Sequence, residues 1–372
     1  MKEFNRERSF SNEEAFIEAT QRFDELTSWH EEPISSARVR FDEETNTYRV
    51  KSVGGDYVLN ENGKYSLPQR AGIGGQTIGD LNQNDWVKVM NTCLPYRSGN
   101  MILNELEGEI YAAHSQQYQP ISVRDIFEST KTILGSKFPK GSFVGGIITP
   151  EFASCEYSLA GEKEIVKAYE DALKESFDKS PRLIAPVIRV VTSNTSDSGA
   201  NVYPCLLCQT EDGTRYTIMA GNALKTIHKG GDGIKKVREN LSLSMDMVNK
   251  SVENFIRLTY VAINHPQSCF LNIAKRLGLP KLVAMDIGEE IGKMFGEGSR
   301  TTAKFIYLSL TKILERVNFK TETDKWMMAN TIGHALTIDY PTYDTKSCEW
   351  TKVKPDANQM SLFGDNFVGG AA

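Results

Sequence analysis

The feature that most constrains the fold is a change of hydrophobic period at Gly233. Before Gly233, apolar and polar residues alternate in short runs, as at 38–41 and 48–51, and turn residues separate the runs. This pattern is typical of half-buried strands. From Gly233 to about residue 337, apolar residues recur at helical spacing almost without interruption. The order predicts an α+β protein in which an antiparallel sheet precedes a helical region.

Three segments follow from this pattern. They are an α+β body over 1–228, a mostly helical domain over 229–344 and a flexible tail over 345–372. The tail is predicted because periodicity stops at Thr345 and Pro355, Gly364 and Gly369 follow.

Local signals place the individual elements. Ser11-Asn12-Glu13-Glu14 is typical of a capping box, and Ser122 is typical of a helix cap. Strands are expected at 38–41, 48–51, 57–59 and 65–67 as a small antiparallel meander, and then at 100–106, 109–115, 147–148, 183–192 and 201–220. Helices are expected near 11–29, 84–90, 122–134, 165–177 and 324–336.

Composition limits the class of protein. The chain has 372 residues, of which 24% are charged, and a net charge of −5, which argues against a surface covered in positive charge. No apolar run approaches the roughly 18–20 residues of a membrane span, and Met1–Arg8 is too charged for a signal peptide. The six cysteines are too sparse for a disulfide framework. We therefore expect a cytoplasmic protein that does not enter a membrane.

The tail contains a short peptide with a recognisable pattern. Gln359-Met360-Ser361-Leu362-Phe363 resembles the Gln-Leu-(Ser/Asp)-Leu-Phe peptide that docks on the bacterial DNA sliding clamp. In such a peptide the Leu and Phe side chains fill apolar pockets and the Gln amide fixes the register. Average composition gives such a match by chance in roughly one chain per thousand. The alternative is that Leu362 and Phe363 fold back onto the body of the protein.

A cluster of basic residues surrounds Gly230-Gly231-Asp232-Gly233. A glycine turn that opens a helix can present backbone N–H groups to a phosphate, and nearby lysines add positive charge. The candidate nucleic-acid-binding residues are Lys225, His228, Lys229, Lys235, Lys236 and Arg238. The turn has neither P-loop spacing nor a Gly-x-Gly-x-x-Gly pattern. A solvated helix face is the alternative interpretation.

No residue pattern supports catalysis or a cofactor. Cys205 and Cys208 form a lone Cys-x-x-Cys pair with no second pair, so they favour a buried strand over a zinc site, although His228 could complete a three-ligand set. The five histidines form no metalloprotease spacing, and the chain contains no Gly-x-Ser-x-Gly. We therefore expect no metal, no cofactor and no catalytic residues, and the sequence leans away from an enzyme.

Four further blocks of the sequence have recognisable patterns. The first three are the 111–121 stretch with its Ser115-x-x-Tyr118-x-Pro120-Ile121 pattern, the Val190–Gly199 stretch with its loop, and Ile227–Gly230 with its His-x-Gly element. The fourth is the Trp326–Ile332 helix. Together they cover roughly 70–340 and resemble a phage- and plasmid-encoded family called domain of unknown function 932, which implies an origin in a mobile element. One departure is that Met219-Ala220-Gly221-Asn222 stands where the family usually carries Cys-x-Asn-Gly.

Two interpretations of function remain open. In the first, the body binds nucleic acid such as single strands, with Tyr118, Tyr203 and Tyr216 as stacking platforms, and the tail tethers it to the host clamp for replication or recombination. In the second, the protein is an effector that diverts host replication or defence by binding the clamp or another host protein, without contacting DNA. A catalytic body with a dispersed site is the third alternative.

Overall fold

The structure is a computed structural model that describes residues 2–74, 78–167, 182–195, 199–209, 213, 215–220, 223–296, 298–319 and 321–348. Its strands are β1 (Arg8–Phe10), β2 (Thr27–Pro33), β3 (Arg38–Asp42), β4 (Thr47–Lys51), β5 (Asp56–Leu59), β6 (Asn100–Leu106), β7 (Glu109–Ser115), β8 (Ser142–Ile148), β9 (Phe152–Ser158), β10 (Arg182–Ser193), β11 (Ala200–Gln209), β12 (Arg215–Met219), β13 (Leu224–Thr226), β14 (Ala262–Ile263) and β15 (Thr301–Thr302).

The helices confirm the predicted α+β class, because most of them follow residue 233. They are α1 (Glu13–Leu26), α2 (Glu61–Arg70), α3 (Gln83–Cys93), α4 (Val123–Lys137), α5 (Gly233–Ser242), α6 (Ser244–Thr259), α7 (Pro266–Arg276), α8 (Lys281–Met294), α9 (Ala303–Thr311), α10 (Ile313–Arg316), α11 (Glu322–Gly333) and α12 (Tyr340–Tyr343). A short 3₁₀ helix, His334–Thr337, extends α11.

The first sheet contains six strands in the order β2-β6-β7-β5-β4-β3. Strands β3, β4 and β5 form the predicted antiparallel meander, whereas β5 joins β7 in parallel. Helices α2 and α3 pack on this sheet. Val50, Trp86 and Leu103 belong to its apolar core, which is separate from the core of the remaining molecule.

The strand predicted at 65–67 is wrong, because these residues lie in α2. The Asn60 side chain accepts a hydrogen bond from the Gly63 N–H at 2.9 Å and so caps this helix. Asn62 and Gly63, which the sequence indicated as a turn between strands, therefore lie in the first helical turn. Pro68 lies in the last turn of α2 and, having no N–H, donates no hydrogen bond to the carbonyl one turn earlier.

The second sheet contains seven strands, all paired antiparallel, in the order β1-β8-β9-β10-β11-β12, with β13 beside the other half of β11. The β structure predicted over 201–220 is confirmed and consists of two strands, β11 and β12. Helices α5 and α6 pack against β11, and α11 packs against β12.

The apolar core crosses the domain boundary that the sequence indicated at 228/229. Phe16 of α1, Val190 of β10, Phe255 of α6 and Ile306 of α9 all belong to one buried cluster. The helical region and the second sheet therefore do not form separate cores. Most buried apolar residues of the first sheet form a second cluster, whereas Leu106 of β6 and Tyr111 of β7 belong to the larger one.

Side-chain caps begin the helices near the sites that the sequence predicts. Ser122 accepts from the Asp125 N–H at 3.0 Å and starts α4, as expected. In α1 the cap is Asn12, which accepts from the Ala15 N–H at 2.9 Å, rather than Ser11. Each cap satisfies a donor that the first helical turn leaves without a partner.

Some predicted features lie outside the described residues. The helix expected over 165–177 is described only through residue 167. Of the predicted tail, the structure describes 345–348, which lie beside α7: the Thr345 hydroxyl accepts from Asn272, and the Lys346 carbonyl accepts from Ser268. The peptide Gln359–Phe363 lies outside the described residues.

Candidate nucleic-acid interface

The predicted basic residues flank a tight turn between β13 and α5, which we call the basic turn (residues 225–238). Gly230 and Gly231 have φ values of +89° and +76°, a conformation that glycine adopts without a steric penalty. The side chains of Lys225, Lys229, Lys235, Lys236 and Arg238 are all exposed. None of these five forms an ion pair with any residue that the structure describes.

The segment Tyr118-Gln119 holds the basic turn in place. The Gln119 N–H donates to the His228 carbonyl at 2.9 Å, and the Gln119 side-chain oxygen accepts from the Gly231 N–H. The Tyr118 hydroxyl is hydrogen-bonded to His228 Nδ1 at 3.0 Å. Three contacts from two adjacent residues fix the turn, so its lysines are presented from a rigid backbone.

His228, unlike the five other predicted residues, is not at the surface. Its side chain is 6% exposed and stacks against Tyr118 with ring centroids 5.1 Å apart. The His228 Nε2 atom has no hydrogen-bond partner among the described residues. The structure therefore places His228 beneath the basic turn, where it supports the turn and does not face an approaching phosphate.

An aromatic stack continues from His228 into the first sheet. His114 of β7 stacks on Tyr118 with centroids 3.7 Å apart, and Trp29 of β2 lies 5.4 Å from Tyr118. His114 Nε2 is 2.7 Å from the carbonyl oxygen of Asn194, at the end of β10. Because a carbonyl only accepts, His114 Nε2 must carry the proton. The stack thus joins both sheets to the basic turn.

Burial sets the charge state of this stack. It lowers the pKa of His114 to about 4 and that of His228 to about 4, so both rings are neutral at pH 7. Burial also raises the pKa of the Tyr118 hydroxyl above its usual range. The stack consequently contributes no positive charge, and the charge of the interface comes from the lysines and Arg238.

The second sheet supports the basic turn from the other side. The Asn240 amide of α5 donates to the Thr226 hydroxyl at 2.9 Å, and both side chains are buried. A Cβ atom at Gly199 would collide with the Thr226 carbonyl oxygen, so only glycine permits this approach. Arg238 is held in turn by a 3.0 Å hydrogen bond from its Nε to Ser129 of α4.

A small cavity of about 150 Å³ lies beside the turn, where α4 and α5 both begin. Gln119, Ser122 and Lys229 line it, and so does the carboxylate of Asp125. Asp232, the N-cap residue of α5, makes no side-chain capping hydrogen bond. Sequence reasoning did not single out Gln119, although it belongs to the Ser-x-x-Tyr-x-Pro-Ile block.

Three of the four blocks that carry the family resemblance meet at the basic turn. Tyr118 and Gln119 come from the first, Asn194 and Gly199 from the second, and His228 from the third. The fourth block lies elsewhere on the second sheet. There the Arg189 guanidinium donates to Asn330 at 2.8 Å and lies 4.7 Å from the ring centroid of Trp326.

The tyrosines expected to act as stacking platforms differ in accessibility. Tyr118 is buried against His114 and His228, so the expectation that it stacks a base is wrong for this conformation. Tyr203 is half-buried on β11, and the side chain of Tyr216 lies outside the described residues.

Cys205 is buried in β11 among Val187 and Leu207, as the strand interpretation predicts. Burial raises the pKa of its thiol to about 12. The Cys208 side chain lies outside the described residues. Within the described part of the chain, no three His, Cys, Asp or Glu side chains are grouped so that they could hold a metal ion.

The comparisons with known proteins add no relative: no protein-family profile, curated protein or solved structure matches this chain. The resemblance to the domain of unknown function 932 family therefore stays a prediction, and so does that of Gln359–Phe363 to clamp-binding peptides. No helix within the described ranges has the length and apolar character needed to cross a membrane.

Proposed function

We propose that this protein is a nucleic-acid-binding accessory factor of a phage or plasmid, tethered by its tail to the sliding clamp of the bacterial host. The basic turn would bind the phosphate backbone during replication or recombination, and Gln359–Phe363 would dock on the clamp. The protein would act in the host cytoplasm.

The five exposed cations of the basic turn carry this proposal, since none of them pairs with a carboxylate of the described residues. Lys225, Lys229, Lys235, Lys236 and Arg238 are confined to 14 residues of a chain whose net charge is −5. Positive charge that no carboxylate neutralises can displace the counterions of a polyanion, which is the main source of affinity for nucleic acid. Asp232 and Glu239 are exposed nearby and reduce the net charge, but neither forms an ion pair with these cations in the described structure.

The hydrogen bonds beneath the turn support the same proposal. A surface loop with five long cationic side chains normally loses conformational entropy when it binds. Here the backbone is already fixed by Gln119 and by the Tyr118–His228 contact, so only the side chains remain to be ordered. Preorganisation of this kind favours affinity without additional contacts.

The tail supplies the second part of the proposal. The Asp344 carboxylate accepts from the backbone N–H groups of Asn264 and His265 at 2.8 Å and 2.7 Å, which fixes the chain on the helical region. Ten residues, 349–358, separate the last described residue from Gln359. A chain of this length reaches at most about 36 Å. The clamp peptide can therefore extend clear of the body while remaining close to it.

A salt titration with a labelled single-stranded oligonucleotide tests the nucleic-acid part. The logarithm of the binding constant should fall steeply and linearly with the logarithm of the salt concentration. A pull-down from bacterial lysate with the full chain, and with a chain lacking 356–372, tests the clamp part. Clamp capture without any DNA binding would overturn the proposal in favour of an effector that diverts the host machinery.

A further inference from the structure

The chain that enters the basic turn alternates between buried and exposed side chains. Thr226 and His228 are buried, whereas Lys225, Ile227 and Lys229 are exposed. Ile227 is 67% exposed, among the most exposed large apolar side chains of the described residues. The three exposed side chains, Lys225, Ile227 and Lys229, form one edge of this segment, which we call the Lys-Ile-Lys ridge. In it an apolar side chain lies between two cations that form no ion pair within the described residues.

The exposure of Ile227 is imposed by the fold and does not reflect a loose loop. On one side of it, Thr226 is held by the Asn240 amide at 2.9 Å, and on the other, His228 is held by the Tyr118 hydroxyl at 3.0 Å. The Lys229 N–H donates to the Ile227 carbonyl at 2.9 Å, which tightens the backbone between the ridge side chains. Ile227 cannot turn inward without breaking these contacts.

Strand register places Lys225 on the face of the second sheet that carries Asn201 and Tyr203. Lys225 lies opposite Asn201 of β11, and Asn201 and Tyr203 project to the same face because residues two apart share a side of a strand. His334 is close enough to Lys225 for that charge, after burial, to lower the pKa of its ring. Among the described residues, Asn201, Tyr203 and His334 therefore bring no negative charge to Lys225.

We propose that the Lys-Ile-Lys ridge selects single-stranded nucleic acid, with Ile227 against the face of an unpaired base and Lys225 and Lys229 on the flanking phosphates. This inference rests on the proposed nucleic-acid binding and names its substrate class. In a duplex, the base faces are stacked on each other and an exposed isoleucine meets only the backbone. A single strand offers base faces that apolar and aromatic side chains can cover.

The two lysines that flank Ile227 favour a polyanion as the ligand. The protruding side chain of Ile227 favours contact with the flat face of a base. The anchor side chains of a bound peptide fill pockets, whereas a flat base can cover a protruding side chain without a pocket. The cavity near the turn is lined by Gln119, Ser122 and Lys229 and not by Ile227. A base is therefore the better match to this ridge than an apolar peptide residue.

The test compares Ile227→Ser with the wild-type chain on a labelled single strand and on a duplex of the same length, at several salt concentrations. We expect Ile227→Ser to weaken single-strand binding about five- to tenfold, within the usual range for loss of one base contact. The salt dependence should not change, because no cation is removed. Duplex binding should be unaffected.

Two variants serve as controls. Ile227→Leu keeps an apolar side chain and should retain most of the affinity, while Leu282→Ser removes an equally exposed apolar side chain on α8 and should change nothing. If Ile227→Ser lost equal affinity for the single strand and the duplex, or lost none while the wild-type chain still bound, the proposed role of the ridge would be wrong. The proposed function would remain. Competition by poly-glutamate as effective as that by an oligonucleotide of equal charge would also overturn it. If the wild-type chain bound neither the single strand nor the duplex, both the role of the ridge and the proposed nucleic-acid binding would be wrong.

Discussion

Arg189 and Lys229 show two different uses of positive charge on the second sheet. The Arg189 side chain is buried, donates to Glu156 at 2.7 Å and to Asn330 at 2.8 Å, and lies over the ring of Trp326. The Glu156 carboxylate also accepts from the Thr217 hydroxyl at 3.0 Å. Lys229 is exposed and forms no ion pair within the described residues.

The difference separates charge that belongs to the fold from charge that is available to a partner. A buried guanidinium must be neutralised by neighbours, because an unpaired charge in the interior is costly. Arg189 meets that requirement and fixes α11 on the sheet. The cations of the basic turn are exposed, so water solvates them and the fold need not neutralise them. Mutation of Arg189 should therefore reduce the stability of the fold, whereas mutation of the basic turn should reduce affinity for nucleic acid and leave stability unchanged.

The largest effect should come from Arg189→Met. Removing the guanidinium leaves the Glu156 carboxylate largely buried without its partner, so we expect a loss of about 3 kcal/mol in the free energy of unfolding, measured with urea. Adding Glu156→Gln to Arg189→Met should restore part of that loss, because the stranded charge disappears. A loss below about 0.5 kcal/mol, the range of ordinary surface changes, would show that this pair is not part of the fold's stability.

Changing Lys229, Lys235 and Lys236 together to alanine should lower the affinity for nucleic acid without lowering the stability of the fold. The slope of log affinity against log salt should become shallower by about 2 for a single strand, and affinity at 0.1 M salt should fall roughly a hundredfold. The free energy of unfolding should stay within about 0.5 kcal/mol of wild type. The matched control changes Lys51, Lys88 and Lys293, which are exposed elsewhere. An unchanged slope in the test variant would move the DNA site away from the turn.

The tail tests whether partner binding is divided between two parts of the chain. A peptide of 356–368, or the intact protein, should bind a bacterial clamp with micromolar affinity, or about −8 kcal/mol. Leu362→Ala and Phe363→Ala should each cost at least roughly 2 kcal/mol by calorimetry, because each empties an apolar pocket. Gln359→Ala should cost less, and Met360→Leu should bind as well or better. Destabilisation of the body by Phe363→Ala would instead indicate that the tail folds back.

The smallest effect should appear as a dependence of stability on pH. Burial lowers the pKa of His114 and His228 to about 4 in the folded protein, against about 6.5 when unfolded. Below pH 6.5 the unfolded chain therefore binds protons that the folded chain excludes, and stability falls as the pH drops from 6.5 towards 4. Between pH 8 and 6 the loss should be on the order of 1 kcal/mol.

Urea unfolding at pH 8, 7 and 6 measures this loss. His228→Gln removes one of the two rings whose pKa is lowered to about 4, so it should remove about half of their contribution to the pH dependence. His334, whose pKa burial also lowers, adds a part that this variant leaves in place. The same pH dependence in wild type and in His228→Gln would mean that His228 is charged or accessible in the folded protein. It would then join the cations of the basic turn instead of the stack beneath them.

Local pattern predicted most of the elements and failed where packing decides. The bounds of β6 and β7 agree with the prediction, since alternation and a two-residue turn specify a hairpin. The strand expected at 65–67 is helical, because the cap at Asn60 outweighs a short apolar run. Tyr118 looked like an accessible platform but is buried, since only its neighbours in space determine whether an aromatic ring is exposed.

The sequence by itself determined the α+β class, the start of α5 at Gly233 and the cluster of cations around the basic turn, because period, glycine and charge are properties of consecutive residues. Only the tertiary structure decided which charges are neutralised, that His228 is buried and that Ile227 is exposed. It also decided that the helical region shares a core with the second sheet. The physical reason is that burial, ion pairing and stacking depend on residues far apart in the chain, such as Tyr118 and His228, which no local pattern relates.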